Sequence, residues 1–223
     1  MSGIIKSSIA KKYWMAATGL FLCLFLVGHL AGNLQLFIPG EEGKIQFNEY
    51  AKFMTTNPLV RVLSIVTFAS VLFHVIDGIV LTVNNRKARP QQYAYSKPGK
   101  NSMWTSRNMG VLGTIILAFL ITHLSNFWYK MKFGSLPVDS AGFTDLHGVV
   151  MEAFQSPVYV IIYVVSMIAI AFHLWHGFGS AFKSLGVSQK KYTPFIEKAG
   201  YAFSILIPLG FAIIPIYVFL TNS

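Results

Sequence analysis

Long apolar segments alternate with short polar segments along the whole chain. Each apolar segment is close to or above the roughly 20 residues with which an α-helix crosses the hydrocarbon core of a bilayer. They cover about residues 13–37, 59–83, 109–129, 157–181 and 199–220. Two stretches of mixed polarity, 47–54 and 143–154, are typical of short helices that lie on a membrane surface. The pattern predicts an all-α membrane protein in which residues 1–223 form one bundle of five transmembrane helices.

Charged residues lie mostly in the polar segments and are distributed unevenly among them. The N-terminus, 84–108 and 182–198 carry an excess of Lys and Arg, whereas most acidic residues lie in 38–58 and 130–156. Because cytoplasmic loops are enriched in Lys and Arg, we expect a cytoplasmic N-terminus and an external C-terminus. The net charge of +10 therefore reflects membrane topology and does not indicate a nucleic-acid-binding surface. The single cysteine excludes a disulfide framework and an iron–sulfur cluster held by cysteines of this chain.

Four of the six histidines fall one per apolar segment: His29, His74, His123 and His173. At about 1.5 Å of rise per residue, each lies about 21–24 Å from the start of its helix. Successive spans run in opposite directions, so we expect His29 and His123 near the outer face and the other two near the cytoplasmic face. The sequence thus predicts an outer and an inner pair, separated along the membrane normal by on the order of 12–15 Å.

Paired imidazoles from facing helices of a bundle are typical of a b-type haem, whose iron takes one ligand on each face of the porphyrin. Neutral imidazole is also tolerated in hydrocarbon better than a fixed charge. Glycines flank the rings: Gly28 and Gly32 lie beside His29, and a His-x-x-x-Gly spacing places Gly78 and Gly177 one turn after the inner pair. One buried histidine would more often be a packing residue. The matched set of four instead indicates two haems that conduct electrons across the membrane.

Three further polar residues are candidates for a secondary role. His176 could donate a hydrogen bond beside a haem or simply pack, and Lys183 is a candidate partner of a haem propionate. Asp77 could tune the inner haem or relay protons, but a pairing with a basic group such as Arg86 at the interface is favoured. His147 lies in an outer segment and is expected at the surface.

Several sequence stretches resemble the cytochrome b558 membrane anchors of succinate dehydrogenases and fumarate reductases. They are SSIAKK at 7–12, MAxTGLFL at 15–22, HLxGNL at 29–34, YAKFM at 50–54, NPL at 57–59, FHLWHGF at 172–178 and SAF at 180–182. The likeness covers the first four spans, and the fifth is similar mainly in kind. In the third span, His123 lacks the His-x-x-x-Gly spacing, so its assignment rests more on depth than on a motif.

The resemblance implies a five-helix, single-chain anchor with two bis-histidine haems b in a bacterial cytoplasmic membrane. By matching motifs, His74 and His173 would hold the haem nearer the iron–sulfur partner, and His29 and His123 the distal one. The implied partners are a flavoprotein and an iron–sulfur subunit on the cytoplasmic side, together with a membrane quinone, menaquinone in most such anchors. As part of that enzyme, the chain would perform electron transfer and the quinone half-reaction. The direction of the reaction, the quinone-binding residues and the oligomeric state stay open.

Two alternatives differ in class from this interpretation. A proton-coupled transporter or channel could use the intramembrane histidines and Asp77 as a relay, but the sequence lacks the repeated halves and paired short segments common in transporters. A haem-bearing anchor of a hydrogenase or formate dehydrogenase is the other alternative, although the motifs above do not resemble those proteins.

Overall fold

A computed structural model describes residues 7–88 and 98–221 of the chain. Lys6, Arg89 and Lys97, which contribute to the predicted charge distribution, lie outside the described residues. The described part is helical, and its one β-bridge joins Val138 to Thr144. The prediction of an all-α chain is therefore confirmed for the described residues.

Within the described residues, five helices are long and apolar enough to cross a membrane, as predicted, which indicates a multi-pass membrane protein. They are Ile9–Phe37, Pro58–Lys87, Met109–Phe133, Pro157–Ser184 and Thr193–Thr221. Every one extends past the predicted apolar segment at one or both ends, because the polar residues there continue the helical backbone. Between 6% and 28% of the most apolar window of each helix is buried, so most of that surface is available to lipid.

Shorter elements interrupt or connect these spans. In chain order the helices are α1 (Ser8–Asn33), α2 (Gly40–Thr56), α3 (Pro58–Lys87), α4 (Pro98–Asn101), α5 (Trp104–Arg107), α6 (Met109–His123), α7 (Lys130–Phe133), α8 (Leu146–Phe154), α9 (Pro157–Ser184) and α10 (Thr193–Thr221). A 3₁₀ turn, Leu34–Phe37, continues α1, and a π-helical segment, Leu124–Tyr129, joins α6 to α7.

Helix starts follow local sequence chemistry. The side chains of Ser7, Asn57 and Asp145 accept hydrogen bonds from backbone N–H groups in the first turns of α1, α3 and α8. Proline occupies the first turn of α3 and α9, where its missing N–H costs no hydrogen bond. Pro208 and Pro215 lie inside α10, which nevertheless runs from Thr193 to Thr221 as one helix.

The bundle is arranged around α1 and α9. Helix α1 contacts α3, α9 and α10, and α9 also contacts α6 and α10, so these two helices bring the other spans together. Two candidate histidines, His29 and His173, lie on α1 and α9 themselves. The other two, His74 and His123, lie on α3 and α6, which contact α1 and α9 respectively. The orientation of the termini relative to a membrane stays a prediction.

One end of the bundle is covered by what we call the cap, which consists of α2, α8 and the segment 134–145. Its apolar side joins the ends of the spanning helices in a buried cluster that includes Phe47, Phe154, Tyr163 and Val218. The predicted surface stretches 47–54 and 143–154 correspond to α2 and to α8 with the residues before it. They form a folded layer over the bundle, with buried side chains of their own.

Candidate functional site

His29 and His123 come together at the cap end of the bundle and are called the cap-side pair. Their ring centroids lie 5.7 Å apart, with an angle of 84° between the ring planes. Aromatic rings surround both residues. Phe25 and Phe211 lie 5.3 Å and 5.4 Å from the His29 ring. The His123 ring has Phe119, Phe127 and Tyr163 as neighbours, at 5.7 Å, 5.5 Å and 6.1 Å.

His74 and His173 come together farther from the cap and are called the far pair. Their ring centroids lie 6.1 Å apart, with an angle of 64° between the ring planes. His74 has small and polar neighbours: the Thr18 hydroxyl lies 3.2 Å from its Nδ1, and a Cβ at Gly19 would lie 3.2 Å from its Cε1. The structure thus brings the four histidines together in the two pairs expected from their depth along the helices.

The separation of the two pairs follows from residues on shared helices. His29 lies eleven residues after Thr18, which contacts the far pair, and His173 lies ten residues after Tyr163, which contacts the cap-side pair. At about 1.5 Å of rise per residue, both offsets place the pairs about 15–17 Å apart along the bundle. Two different helices therefore give the same spacing.

Side-chain contacts at Nδ1 hold three of the four rings. His74 has the Thr18 hydroxyl at 3.2 Å, and His123 has the Tyr163 hydroxyl at 3.3 Å. The Asn33 amide lies 3.4 Å from Nδ1 of His29 and also donates to the His29 carbonyl oxygen at 2.8 Å. The nitrogen that does not bind a metal is commonly fixed by such a partner, which sets the tautomer and the ring orientation. The two hydroxyls can accept from Nδ1–H of His74 and His123, which leaves Nε2 of these two rings as the nitrogen suited to a metal. The Asn33 amide nitrogen can only donate, so it does not select Nε2 of His29 in this way.

The geometry of the pairs fits the haem predicted from the sequence. Two imidazoles on opposite sides of one metal, each with a nitrogen about 2.0 Å from it, have ring centroids about 6 Å apart. The observed 5.7 Å and 6.1 Å agree with this value. Nδ1 of His173 is buried without a hydrogen-bond partner among the described residues, so no side-chain contact fixes the tautomer of this ring. The described residues hold no group of three or more His, Cys, Asp or Glu side chains that could bind a metal. A haem iron, however, needs only two axial ligands from the protein.

The glycines around the pairs have different functions in the structure. A Cβ at Gly28 or Gly177 would meet no atom within 4 Å, and Gly28 is exposed, so their use as room for a macrocycle stays a prediction. Gly32 differs: a Cβ there would lie 2.6 Å from the ring of Tyr50, so this glycine admits a cap side chain. The expectation for Gly32 was wrong in this respect, because the sequence does not show that α2 folds back over α1.

The secondary candidates have varied environments. Lys183 forms an exposed ion pair with Glu197 at 3.4 Å, an arrangement that contributes little to stability. Asp77 interacts electrostatically with His74, and neither of the ion pairs found among the described residues involves Asp77 or Arg86. His176 is half-buried near His173. His147 is half-buried instead of lying free at the surface, because the cap packs its ring 5.9 Å from that of Phe47.

The cap is held by a buried polar network centred on Asn48, which is fully buried. Its side-chain amide donates to Asp139 at 3.0 Å and to Asp145 at 3.2 Å, and its Oδ1 accepts from the backbone N–H of His147 at 2.8 Å. Lys44 adds an ion pair with Asp145 at 2.8 Å. The network ties α2 to the segment before α8, and so closes the cap over the bundle end.

Electrostatics within this network favour the charged aspartates. Burial by itself raises the pKa of Asp145, but hydrogen bonds from Lys44, the Gly148 N–H and Asn48 outweigh it and the pKa is lowered. The pKa of Asp139 is lowered in the same way, because hydrogen bonds from Asn48 and backbone N–H groups outweigh its burial. The hydrogen bond with Asp145 raises the pKa of Lys44. Burial lowers the pKa of His147.

Several residues beside the pairs were not singled out from the sequence. Thr18 and Gly19 lie within the MAxTGLFL stretch, so that stretch was a usable signal for them. Tyr163 carried no such signal, because its contact with His123 spans 40 residues of sequence. The π-helical segment that begins directly after His123 also had no signal in the hydropathy pattern. Such segments occur frequently at functional sites.

Comparisons with known proteins bear on the family assignment. The site contains two histidine pairs on the first four spanning helices, and the motifs that resemble the cytochrome b558 anchors lie on or next to the first, second and fourth of these helices and on α2. That resemblance stays a prediction based on the sequence motifs. Searches against protein-family models, curated proteins and solved structures found no match to this chain.

Proposed function

We propose that the chain is the di-haem b membrane anchor of a succinate:quinone oxidoreductase. In this function it passes electrons between a soluble flavoprotein and iron–sulfur pair and a membrane quinone. The observation that carries the proposal is the pairing of four intramembrane histidines at 5.7 Å and 6.1 Å between ring centroids. These distances suit two axial ligands on one iron, and the two pairs lie at different depths of the bundle.

The chain's own residues would bind and orient the cofactors. His29 and His123 would hold one haem, and His74 and His173 the other, each through a neutral imidazole. Hydroxyls at Nδ1 keep two of these rings in one tautomer and orientation. When bound, haem b would supply one-electron redox chemistry. The spanning helices keep both sites within a largely apolar layer.

The partners and orientation belong to the same proposal. The basic segments would lie in the cytoplasm of a bacterium, where the flavoprotein and iron–sulfur subunits would dock beside the far pair. The cap would then lie on the outer side, with the quinone, menaquinone in most such anchors, reacting near the cap-side pair. Enzymatically, the chain would serve as a subunit of succinate dehydrogenase or fumarate reductase without the succinate site.

The first test measures haem in the purified full-length chain. The chain is expressed in a bacterial host, purified in detergent, and its reduced-minus-oxidised spectrum is recorded with a haem assay. We expect two b-type haems per chain, with two resolvable midpoint potentials because the surroundings of the pairs differ. A colourless protein would contradict the proposal, and proton-dependent uptake by that protein in vesicles would favour a transporter.

A second test concerns the partners. The chain carries an affinity tag in its native host, and the membrane complex is isolated in mild detergent. We expect a flavoprotein and an iron–sulfur protein to co-purify, with succinate-dependent reduction of the haems. If the isolated chain contains haem but neither partner co-purifies, the proposed haem sites stand and the assignment to this enzyme is contradicted.

A further inference from the structure

The cap-side pair has an aromatic neighbour, Tyr163, whose hydroxyl contacts one of the two histidine rings. Tyr163 is 6% exposed, and its hydroxyl lies 3.3 Å from Nδ1 of His123. A tyrosine hydroxyl buried at this depth needs a partner, because an unpaired one would cost about 1–3 kcal/mol. Here His123 provides that partner across the interface between α6 and α9.

The direction of this hydrogen bond follows from the proposed ligation. A neutral imidazole that binds iron through Nε2 carries its proton on Nδ1, so His123 donates and the Tyr163 oxygen accepts. Asn126 lies beside the same hydroxyl, where its amide nitrogen can act only as a donor to the Tyr163 oxygen.

The backbone after His123 supports this arrangement. Residues Leu124–Tyr129 form a π-helical segment that begins immediately after the histidine and contains Asn126. A π-turn alters the angular positions of the residues that follow it relative to an α-helix. In this span the π-helical segment follows His123. The other three histidines instead have glycines nearby: His74 and His173 in a His-x-x-x-Gly spacing, and His29 with Gly28 and Gly32 beside it. The π-helical segment thereby brings an amide close to the Tyr163 hydroxyl.

We propose that Tyr163 is a positioning residue for the cap-side haem, acting through a hydrogen bond accepted from Nδ1 of His123. The inference rests on the proposed function. Accepting this bond strengthens the electron donation of the imidazole and stabilises oxidised iron, so it lowers the midpoint potential of that haem. Thr18 has the corresponding place beside His74 in the far pair.

The test compares the purified wild-type chain with Tyr163→Phe, which keeps the ring and its aromatic contacts and removes only the hydroxyl. We expect Tyr163→Phe to retain two haems. One haem should move to a more positive midpoint potential and change its low-spin electron paramagnetic resonance signal, while the other stays unchanged. Tyr159→Phe is the matched control one turn earlier on α9 and should alter neither haem. Thr18→Val should alter the haem that Tyr163→Phe leaves unchanged.

The outcomes separate the inference from the proposed function. If wild type holds two haems and Tyr163→Phe leaves both potentials and both resonance signals unchanged, Tyr163 does not position His123. Equal shifts in both haems, or an equal effect of Tyr159→Phe, would also overturn the inference, because they indicate a general change in packing. A wild-type chain without haem would instead overturn the proposed function.

Discussion

The cap-side pair and the far pair each consist of two histidines with nearly the same distance between ring centroids, but the two pairs lie in different surroundings. Phenylalanine rings enclose His29 and His123, and Tyr163 connects them to the buried cluster under the cap. The far pair has a threonine hydroxyl and a glycine backbone beside His74, with an electrostatic contribution from Asp77.

The difference shows how one helical bundle can hold two chemically similar sites with distinct properties. Hydrogen bonding at the axial ligands, burial and nearby charge each tune the potential of a haem. The hydrogen-bond partners and the nearby charge differ between the pairs, although the ligands do not. The cap also packs on the end of the bundle that holds the cap-side pair, through the buried cluster that includes Tyr163. Changes to the cap should therefore affect one site, and changes near the first turns of α1 the other.

The largest expected effect comes from removing one histidine of each pair. His74→Ala should reduce the haem content from two to one per chain and leave the cap-side haem, because each iron needs both axial ligands. His123→Ala should remove the other haem, and the two variants should retain haems of different potential. Haem assay and redox titration of the purified chains measure both effects. His147→Ala, outside the pairs, should retain two haems, and loss of both haems in each variant would contradict two independent sites.

Filling the space beside the far pair should remove that haem alone. A Cβ at Gly19 would lie 3.2 Å from Cε1 of His74, which is already tight, and the two methyl groups of Gly19→Val would displace the ring. We expect the haem of the far pair to be lost or bound at least about tenfold more weakly, while the cap-side haem keeps its spectrum. The control is Ala17→Val at an exposed position of the same helix, and unchanged haem content in Gly19→Val would refute this role of Gly19.

Breaking the cap network should have a moderate effect that is confined to the cap end. Asn48→Ala leaves the carboxylates and a backbone N–H without their buried partner, which should cost about 1–3 kcal/mol of cap stability. Hydrogen–deuterium exchange should increase in α2 and α8 but not in α3. Gln46→Ala, exposed on the same helix, serves as the control. Uniform loss of protection along the spanning helices would show that the cap is not a separate unit.

Acidification should loosen the same cap more gradually. The pKa of His147 is lowered in the folded cap, so its contribution is present above the ordinary value of 6.5 and falls as the pH drops below it. The lowered pKa values of Asp139 and Asp145 add a second loss as the pH falls below their ordinary value of 3.8. Exchange in α8, corrected for its intrinsic pH dependence, should therefore rise in two phases. His147→Gln should abolish the first phase, and its persistence would rule out His147 as the cause.

Much of the secondary structure could be predicted because hydropathy is a local property of the chain. About 20 apolar residues in sequence suffice to specify a membrane-crossing helix, so all five spans were found. The proximity of His29 to His123 was also predictable, since regular helical rise converts sequence position into depth. The helix ends were less predictable, because polar residues continue the helices beyond the apolar segments.

The remaining features depend on contacts between residues far apart in sequence, which hydropathy and helical rise do not encode. Tyr163 meets His123, Tyr50 covers Gly32, and Asn48 joins α2 to Asp139 and Asp145 only once the helices have packed. The π-helical backbone after His123 likewise forms where neighbouring helices and aromatic side chains hold it. Local pattern therefore specifies which residues cross the membrane and at what depth, whereas packing between helices decides what surrounds each histidine.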